Sequence, residues 1–204
     1  MRLNGWVAPA YAAMVVCCAT PPAEARPVKF GSDFFEYVSA PLISWSDAQT
    51  AAAALTYKGL PGYLATVASA AENAFLASQF TTQQTTFEGA WLGGEVFGSG
   101  TGGTGCWETG PLTGKEFSIG QAPYRKAYAN WGGVEPNNAP SAAYMNIGGS
   151  FSGVANGQWA DAANGVASQN DPVQGYIVEF GPKRRPVMQV SPTQRACSVP
   201  STKR

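Results

Sequence analysis

Two segments of the chain have the pattern of a helix. Each begins with a residue that is suited to cap a helix, and in the second the apolar residues recur at helical spacing. Ser44 precedes an alanine-rich run that ends near Leu55, and serine is a preferred residue at a helix start. Ser69 and Glu72 form a capping box, after which apolar residues follow at helical spacing as far as Phe80. The pattern therefore predicts two helices.

Short runs of aromatic and β-branched residues predict strands before, between and after these helices. They are Phe34–Val38, Tyr63–Val67, Gln158–Asp161 and Tyr176–Phe180. Residues 131–157 show little periodic pattern and much Asn, Gly and Pro, so they predict a long loop. A loop of this length inside a compact domain is usually functional. The order of elements indicates an α+β fold with segregated helices.

The composition is that of a folded domain with few charges. The 204 residues suggest one domain or at most two. The charged fraction of 13% and the aromatic fraction of 12% fit a chain with a sizeable core rather than a disordered one. Histidine is absent, which removes the commonest general base and the commonest transition-metal ligand together.

The first 25 residues predict an export signal. Arg2 precedes a mostly apolar stretch, and Ala23-Glu24-Ala25 matches an A-x-A cleavage site before Arg26. The apolar run holds Pro9 and has about 15 residues, whereas a membrane span requires about 20. No later segment is suited to span a bilayer. We therefore expect a signal peptide over 1–25 and a secreted or periplasmic mature chain.

Removal of the signal leaves two cysteines, Cys106 and Cys197. A pair of cysteines in an exported chain can form a disulfide. Cys197 lies in a C-terminal segment whose order the sequence does not establish, so paired and unpaired states both remain open.

Charge divides the mature chain at about residue 181. Residues 26–181 contain six basic and twelve acidic residues, whereas residues 182–204 contain six basic residues and no acidic one. The segment 182–204 predicts a basic, solvated and disordered tail. A contact with an anionic surface or polymer is the alternative. Its Lys-Arg-Arg cluster is too short to indicate nucleic-acid binding.

Glu135-Pro136-Asn137 draws attention inside the predicted loop. A carboxylate and an amide flank a stiff proline in a Gly- and Asn-rich region. This spacing is typical of an arranged group of oxygen ligands. It is equally compatible with a cation site, a sugar site or a turn.

Several motifs rich in tryptophan, glycine and acidic residues occur in a fixed order. They are Trp45-x-x-Ala48, Tyr63-Leu64-Ala65-Thr66-Val67 with Glu72-Asn73, Trp91-Leu92-Gly93-Gly94, Trp107 with Gly110, Asn130-Trp131 with Glu135-Pro136-Asn137, Trp159-Ala160-Asp161, and Gly175-Tyr176-Ile177-Val178-Glu179-Phe180. Together they resemble the C-type lectin-like domain from about residue 34 to residue 180. The resemblance implies two helices flanking small antiparallel sheets, with a long ligand-binding loop, and a domain over 26–181.

The resemblance also shows where this chain departs from the family. The positions of the family's two usual disulfides correspond to Ala52 with Val178 and to Tyr144 with Asn164. Both partners of each pair are absent together, which implies that packing holds the domain.

In this family the long loop and the W-N-D strand hold a calcium ion that binds two neighbouring sugar hydroxyls. Carried over, the resemblance implies Glu135, Asn137 and Asp161 as calcium and sugar ligands. It also implies a cis peptide at Pro136 and a preference for mannose-type glycans. Trp131 is a further candidate ligand contact, because its ring would stack on a sugar face if exposed.

Two positions of the implied calcium site lack their oxygen. Ala160 replaces the Asn of W-N-D, and no acid occurs within 141–143. Affinity follows ligand charge and number, so weak calcium binding is expected. Candidates for a neutral replacement oxygen are Asn138, Ser141, Asn146 and Gln158.

Three classes of function are compared. An exported sugar-binding module is the first, and a metal-independent protein-binding module on the same scaffold is the alternative, favoured by Ala142 and Ala160. An enzyme is the least supported, because the chain lacks histidine and a Ser or Cys nucleophile motif. Glu135 and Asp161 as a glycosidase-type carboxylate pair have no further support. The chain is therefore expected not to be an enzyme.

Overall fold

The computed structural model describes residues 26–82, 88–137, 139–149, 153–163, 173–182 and 197. The predicted signal peptide and the predicted tail, except Cys197 and Pro182, lie outside the described residues. The strands are β1 Val28–Phe30, β2 Asp33–Ser39, β3 Thr56–Tyr57, β4 Leu60–Leu64, β5 Gly89–Gly100, β6 Thr104–Trp107, β7 Lys115–Ile119, β8 Ala122–Pro123, β9 Ala139–Asn146, β10 Trp159–Ala162 and β11 Val173–Phe180, and the helices are α1 Trp45–Ala54 and α2 Ala70–Phe80.

Both predicted helices are present and begin at the predicted caps. The Ser44 hydroxyl accepts a hydrogen bond from the main-chain N–H of Asp47 at 3.1 Å. The Ser69 hydroxyl accepts one from the N–H of Glu72 at 3.2 Å. The Glu72 carboxylate in turn accepts from the N–H of Ala68 at 2.7 Å. These contacts satisfy donors that a helix start leaves unpaired.

The strand predicted at Tyr63–Val67 lies earlier, at Leu60–Leu64, and pairs with β3 in a hairpin. Lys58 and Gly59 form its two-residue turn, with positive φ angles of 50° and 78°. Positive φ at both central residues is the geometry that joins tightly paired antiparallel strands. This hairpin was not among the elements predicted from the sequence.

The sheet is mixed and branched rather than a set of small antiparallel sheets. Its main path runs β1-β2-β11-β5-β6-β7-β8, and β5 also pairs with β9, which pairs with β10. β11 lies parallel to β5 and antiparallel to β2 and β4. The first and last long strands, β2 and β11, thus lie side by side and close the domain on itself. The predicted α+β layout with two helices is confirmed.

One helix covers each of two core clusters. The first cluster contains Trp45 of α1 together with Trp91 and Tyr144, and the second contains Leu76 of α2 together with Trp159. Ala52 and Val178 are fully buried members of the first cluster. At the position of one of the family's usual disulfides, this chain therefore has packed apolar side chains. The position of the second disulfide includes Asn164, which lies outside the described residues.

The predicted loop 131–157 contains a strand, β9, that the sequence prediction missed. β9 lies between β5 and β10, where Ala142 and Ala143 are fully buried. A strand buried on both faces does not alternate between apolar and polar residues. The alternation that marks a half-buried strand is therefore absent from this part of the sequence.

The structure forms a disulfide between Cys106 and Cys197, the pairing that the sequence left open. Their Cα atoms are 5.6 Å apart, and 91 residues separate them along the chain. Cys106 is fully buried in β6. The bond ties the C-terminal segment to the middle of the sheet.

Neither helix in the described ranges is suited to cross a membrane. α1 has 10 residues and α2 has 11, whereas a helical span requires about 20.

Asn73 joins α2 to β10, and its loss should measurably destabilise the domain. Its Oδ1 accepts from the indole N–H of Trp159 at 2.8 Å, and its Nδ2 donates to the carbonyl of Gly157 at 2.9 Å. Asn73→Ala leaves a buried indole donor without its partner, so we expect a loss of about 2 kcal/mol in the free energy of unfolding. Urea denaturation measures it.

The control for this prediction is Gln79→Ala, a change at an exposed position of the same helix. It should alter the free energy of unfolding by no more than about 0.5 kcal/mol. Equal effects of the two substitutions would contradict the role assigned to Asn73.

Candidate functional site

The segment that carries Glu135 and Asn137 is anchored to β10 through the main chain. The N–H of Gly132 donates to the carbonyl of Trp159 at 3.0 Å, and the N–H of Trp159 donates to the carbonyl of Asn130 at 2.8 Å. The N–H of Glu135 then closes a turn by donating to the carbonyl of Gly132 at 3.0 Å. These bonds place the Glu-Pro-Asn motif beside the strand that carries Asp161.

The hairpin β7–β8 supports the other side of the same segment. The Gln121 amide donates to the carbonyl of Gly133 at 2.7 Å, and the Trp131 indole N–H donates to the Ser118 hydroxyl at 3.0 Å. The segment is thus held between β10 and the β7–β8 hairpin.

Three predicted ligands, Glu135, Asn137 and Asp161, come together in the structure. The main-chain N–H of Asn137 donates to Oδ1 of Asp161 at 2.8 Å. The side-chain amide of Asn137 donates to Oε1 of Glu135 at 2.9 Å. The peptide between Glu135 and Pro136 is cis, as the family resemblance implied.

Asp161 is the most buried of these residues, with 3% of its surface exposed. Its other carboxylate oxygen accepts a hydrogen bond from the hydroxyl of Ser141 on β9. Asp161 and Ser141 lie on paired strands, because Asp161 is opposite Ala143. Ser141 is therefore the neutral oxygen nearest to the site among those considered from the sequence.

The remaining candidates for a neutral oxygen are engaged elsewhere or not described. The Asn146 amide donates to the carbonyls of Gly149 and Val154, and its oxygen accepts from the N–H of Gly148. The Gln158 side chain accepts from the N–H of Ala155. Asn138 lies outside the described residues. The expectation that Asn146 or Gln158 supplies an oxygen to this site is thus not supported by their contacts.

Glu135 lies in an electrostatically unfavourable place for a carboxylate. Burial, and then the neighbouring carboxylate of Asp161, raise the pKa of Glu135 to about 8, while main-chain N–H groups of Asp161 and Asn137 act in the opposite direction. Its Oε2 is buried without a hydrogen-bond partner among the described residues. A pair of adjacent carboxylates with one unsatisfied oxygen favours a proton or a cation between them.

Trp131 is near this group in sequence, but its ring packs against the aromatic residues of the second core cluster. Its ring centroid lies 5.9 Å from those of Phe117 and Trp159. The side chain is half-buried. This packing gives at least one face of the ring a role in the core, beside the sugar contact considered from the sequence.

The oxygen atoms of this site are of the type that binds a hard cation such as calcium, but there are few of them. Calcium takes six to eight oxygen ligands, and the oxygen of the buried Glu135 carboxylate is available for one. Ala160 is buried and brings no side-chain oxygen. Among the described residues, no group of three or more His, Cys, Asp and Glu side chains is arranged to hold a metal ion. The site therefore offers part of a calcium shell.

Comparison with known proteins gives one relative by sequence. No family model matches the chain. Halomucin of Haloquadratum walsbyi (strain DSM 16790 / HBSQ001) is 33% identical over 152 residues. The matched region makes up 73% of this chain and 1% of halomucin. The chain is thus similar to a small part of a much longer protein.

Comparison of structures gives the fold. CEL-IV matches with a TM-score of 0.51 and 20% identity, over 84% of this chain and 99% of CEL-IV. The EPNH mutant of CEL-I matches with a TM-score of 0.51 and 19% identity, over 79% of this chain and 96% of that one. CEL-I is a C-type lectin from Cucumaria echinata.

The topology described above and these two matches lead to one conclusion about the architecture. The chain has the C-type lectin-like fold.

Proposed function

We propose that this chain is an exported carbohydrate-binding module whose site is formed by Glu135, Asn137 and Asp161 with a weakly bound calcium ion. The observation that carries the proposal is the convergence of these residues from a loop and β10, with the buried Oε2 of Glu135 lacking a hydrogen-bond partner within the described ranges. Two carboxylates close together are costly to bury without a counter-charge. A bound cation removes that cost.

In this proposal the carboxylates bind the ion, and Asn137 and Glu135 also contact the sugar. Glu135 and Asp161 supply the negative charge that would hold calcium, and Asp161 is itself fixed by Asn137 and Ser141. When bound, calcium supplies a hard positive charge whose remaining ligand positions suit two neighbouring hydroxyls of a sugar. Asn137 presents an amide donor next to the Glu135 acceptor, which is the pairing that two such hydroxyls require.

A mannose-type preference is part of the proposal and depends on the order Glu-Pro-Asn. The name of one structural neighbour, the EPNH mutant of CEL-I, records the same three residues in the same order. In this chain the fourth position is Asn138. Trp131 stays a candidate for the edge of the sugar surface, because its side chain is half-buried rather than fully buried.

Export is supported by the predicted signal peptide over 1–25 and by the disulfide between Cys106 and Cys197. Disulfides of this kind persist in oxidising compartments outside the cytosol. We propose a secreted or periplasmic location, with the binding module over 26–181 and a basic tail over 182–204.

Thermal melting with and without calcium tests the proposal directly. For a dissociation constant of about 1 mM, 10 mM calcium should stabilise the folded state by about 1.4 kcal/mol, because it binds only that state. This corresponds to a rise of about 3–6 °C in Tm for a domain of this size. Chelator should reverse the rise.

Titration calorimetry then tests the sugar. Mannose should release heat in the presence of calcium and none in the presence of chelator, and galactose serves as the matched control. No change in Tm together with no heat at millimolar mannose would contradict the proposed function.

A protein-binding module that needs no metal is the second candidate. Ala142 and Ala160 are buried where the family pattern has oxygens, which favours it. Val134, beside Glu135, is 68% exposed and offers an apolar contact on the same surface. Binding to a protein ligand that persists in chelator would support this candidate, and loss of that binding on chelation would argue against it.

A further inference from the structure

The sheet face around Cys106 carries several carboxylates. Cys106 lies in β6 directly opposite Glu95 of β5 and Glu116 of β7. Residues directly opposite on paired strands point to the same face, with Cβ atoms about 4.5–5.5 Å apart. Glu108 follows two residues after Cys106 and therefore continues the same side of the chain. We call these three glutamates and Cys106 the acidic face.

This face is turned away from the second core cluster. Trp107, the next residue after Cys106, is buried in that cluster against Phe117 and Trp159. Since successive side chains of a strand point to opposite faces, Cys106 points to the other side of the sheet. The acidic face is thus distinct from the surface that carries Glu135 and Asp161, because Trp159 and Asp161 lie on the same face of β10.

One carboxylate of the acidic face is poorly satisfied by the described residues. Oε1 of Glu108 is buried and has no hydrogen-bond partner among them. Burial and then the charge of Glu95 raise the pKa of Glu108 to about 7. Both observations indicate that this face suits a cationic neighbour.

The structure attaches a cationic segment to this face. Cys197, which is bonded to Cys106, belongs to the segment 182–204, which has six basic residues and no acidic one. Arg195 is two residues from the bonded cysteine, and Lys203 and Arg204 follow within seven. An extended residue spans about 3.3–3.6 Å, so the separation between the bonded cysteine and Arg195 is short enough to allow a contact of Arg195 with Glu95 or Glu116.

We propose that the acidic face is the docking surface for the protein's own C-terminal segment, with Arg195, Lys203 and Arg204 paired against Glu95, Glu108 and Glu116. The charge pairing brings Cys197 to Cys106 before the disulfide forms, and the disulfide then holds the segment in place. The C-terminal segment therefore covers the acidic face, and the face is not available to a separate partner. This inference is independent of the proposed sugar site.

The test measures how strongly the folded chain favours its own disulfide. The full chain is equilibrated with mixtures of reduced and oxidised glutathione, and thiol trapping with mass spectrometry gives the effective concentration of Cys197 at Cys106. The tail variant combines Arg195→Gln, Lys203→Gln and Arg204→Gln. The matched control, with the same change in net charge in the body of the domain, combines Lys29→Gln, Lys58→Gln and Lys126→Gln.

The tail variant should lower the effective concentration about fivefold to tenfold at about 20 mM salt, because three weak surface pairs are lost. The difference should vanish at about 1 M salt, where charges are screened beyond about 3 Å. The control should stay within about twofold of the unmodified chain. Equal values for tail variant and control, or a difference that persists in high salt, would overturn the proposal.

A double-mutant cycle separates direct pairing from a general effect on the thiols. The face variant combines Glu95→Gln, Glu108→Gln and Glu116→Gln, and a fourth protein carries both sets of substitutions. If the tail pairs with the face, removing both partners costs little more than removing either one. Strictly additive effects would mean that the segment is only tethered by its disulfide, and the docking surface would be refuted.

Discussion

Asp161→Asn is expected to abolish the calcium-dependent rise in Tm while leaving the metal-free protein at least as stable as before. The substitution removes one of the two carboxylates at the site, so calcium affinity should fall by about 100-fold or more, which equals about 2.7 kcal/mol. The asparagine oxygen can still accept from the N–H of Asn137 at the position of Oδ1. Melting curves in 10 mM calcium and in chelator measure both quantities.

The reason for unchanged or higher metal-free stability is electrostatic. Burial, and then Asp161, raise the pKa of Glu135 to about 8, so neutralising position 161 removes part of the penalty against an ionised Glu135 at neutral pH. Glu36→Gln, with the same change of charge on β2, is the control and should preserve the calcium response. A full calcium response in Asp161→Asn would remove Asp161 from the proposed site.

Glu179→Ala is expected to cost about 3–4 kcal/mol of unfolding free energy. Glu179 is buried in β11 and accepts hydrogen bonds from the Tyr63 hydroxyl at 2.7 Å and from the N–H and hydroxyl of Thr66 at 3.0 and 3.2 Å. Alanine leaves these buried donors unpaired, and each such loss costs about 1–3 kcal/mol. Guanidinium denaturation measures the change, and Tyr63→Phe, which removes one donor only, should cost about 1 kcal/mol.

The same residue makes stability depend on pH. Burial raises the pKa of Glu179 to about 7 from its ordinary 4.5; Glu72 and Asp33 act in the same direction, and bonds from Thr66 and Tyr63 in the opposite one. The stability that this group contributes is therefore fully present below about pH 4.5 and is lost as pH rises through about 7. Between these pH values the free energy of unfolding should fall by up to about 3 kcal/mol through Glu179.

Glu179→Gln provides the control for this pH dependence. The amide cannot titrate, so its unfolding free energy should change less between pH 4.5 and 8 than that of the unmodified chain. Identical pH profiles for the two proteins would contradict a titrating Glu179.

The sequence predicted the parts of this fold that depend on local signals. The caps at Ser44 and Ser69 act on neighbouring donors, so both helices could be placed from a few residues. The strand β9 could not be placed in this way, because its alanines point to both faces of the sheet and show no alternation of apolar and polar residues. Its strand structure depends on pairing with β5 and β10. The hairpin at Lys58 and Gly59 was missed because a glycine after a helix also signals its end.

At the candidate site, too, local signals predicted some features, whereas others depend on the folded structure. Glu135 and Asn137 are two residues apart, so the motif alone marked both as candidate oxygen ligands. Asp161 was added by the family resemblance, since no local rule joins residues 24 positions apart. The bond from Ser141 to Asp161 depends on the pairing of β9 with β10, and the unsatisfied oxygen of Glu135 depends on burial. Neither could be derived from sequence spacing.

The pairing of β2 with β11 has a mechanical consequence. Phe34 lies opposite Phe180, so the chain enters and leaves the body at one end of an antiparallel pair. Tension on those two points would load the ladder from one end, so its hydrogen bonds would break in sequence and not all together. The bond between Cys106 and Cys197 moves the point at which a pull applied beyond residue 197 enters the sheet, from the end of β11 to β6. The force then crosses β5 and β11 before it reaches β2, so more than one strand pair resists it.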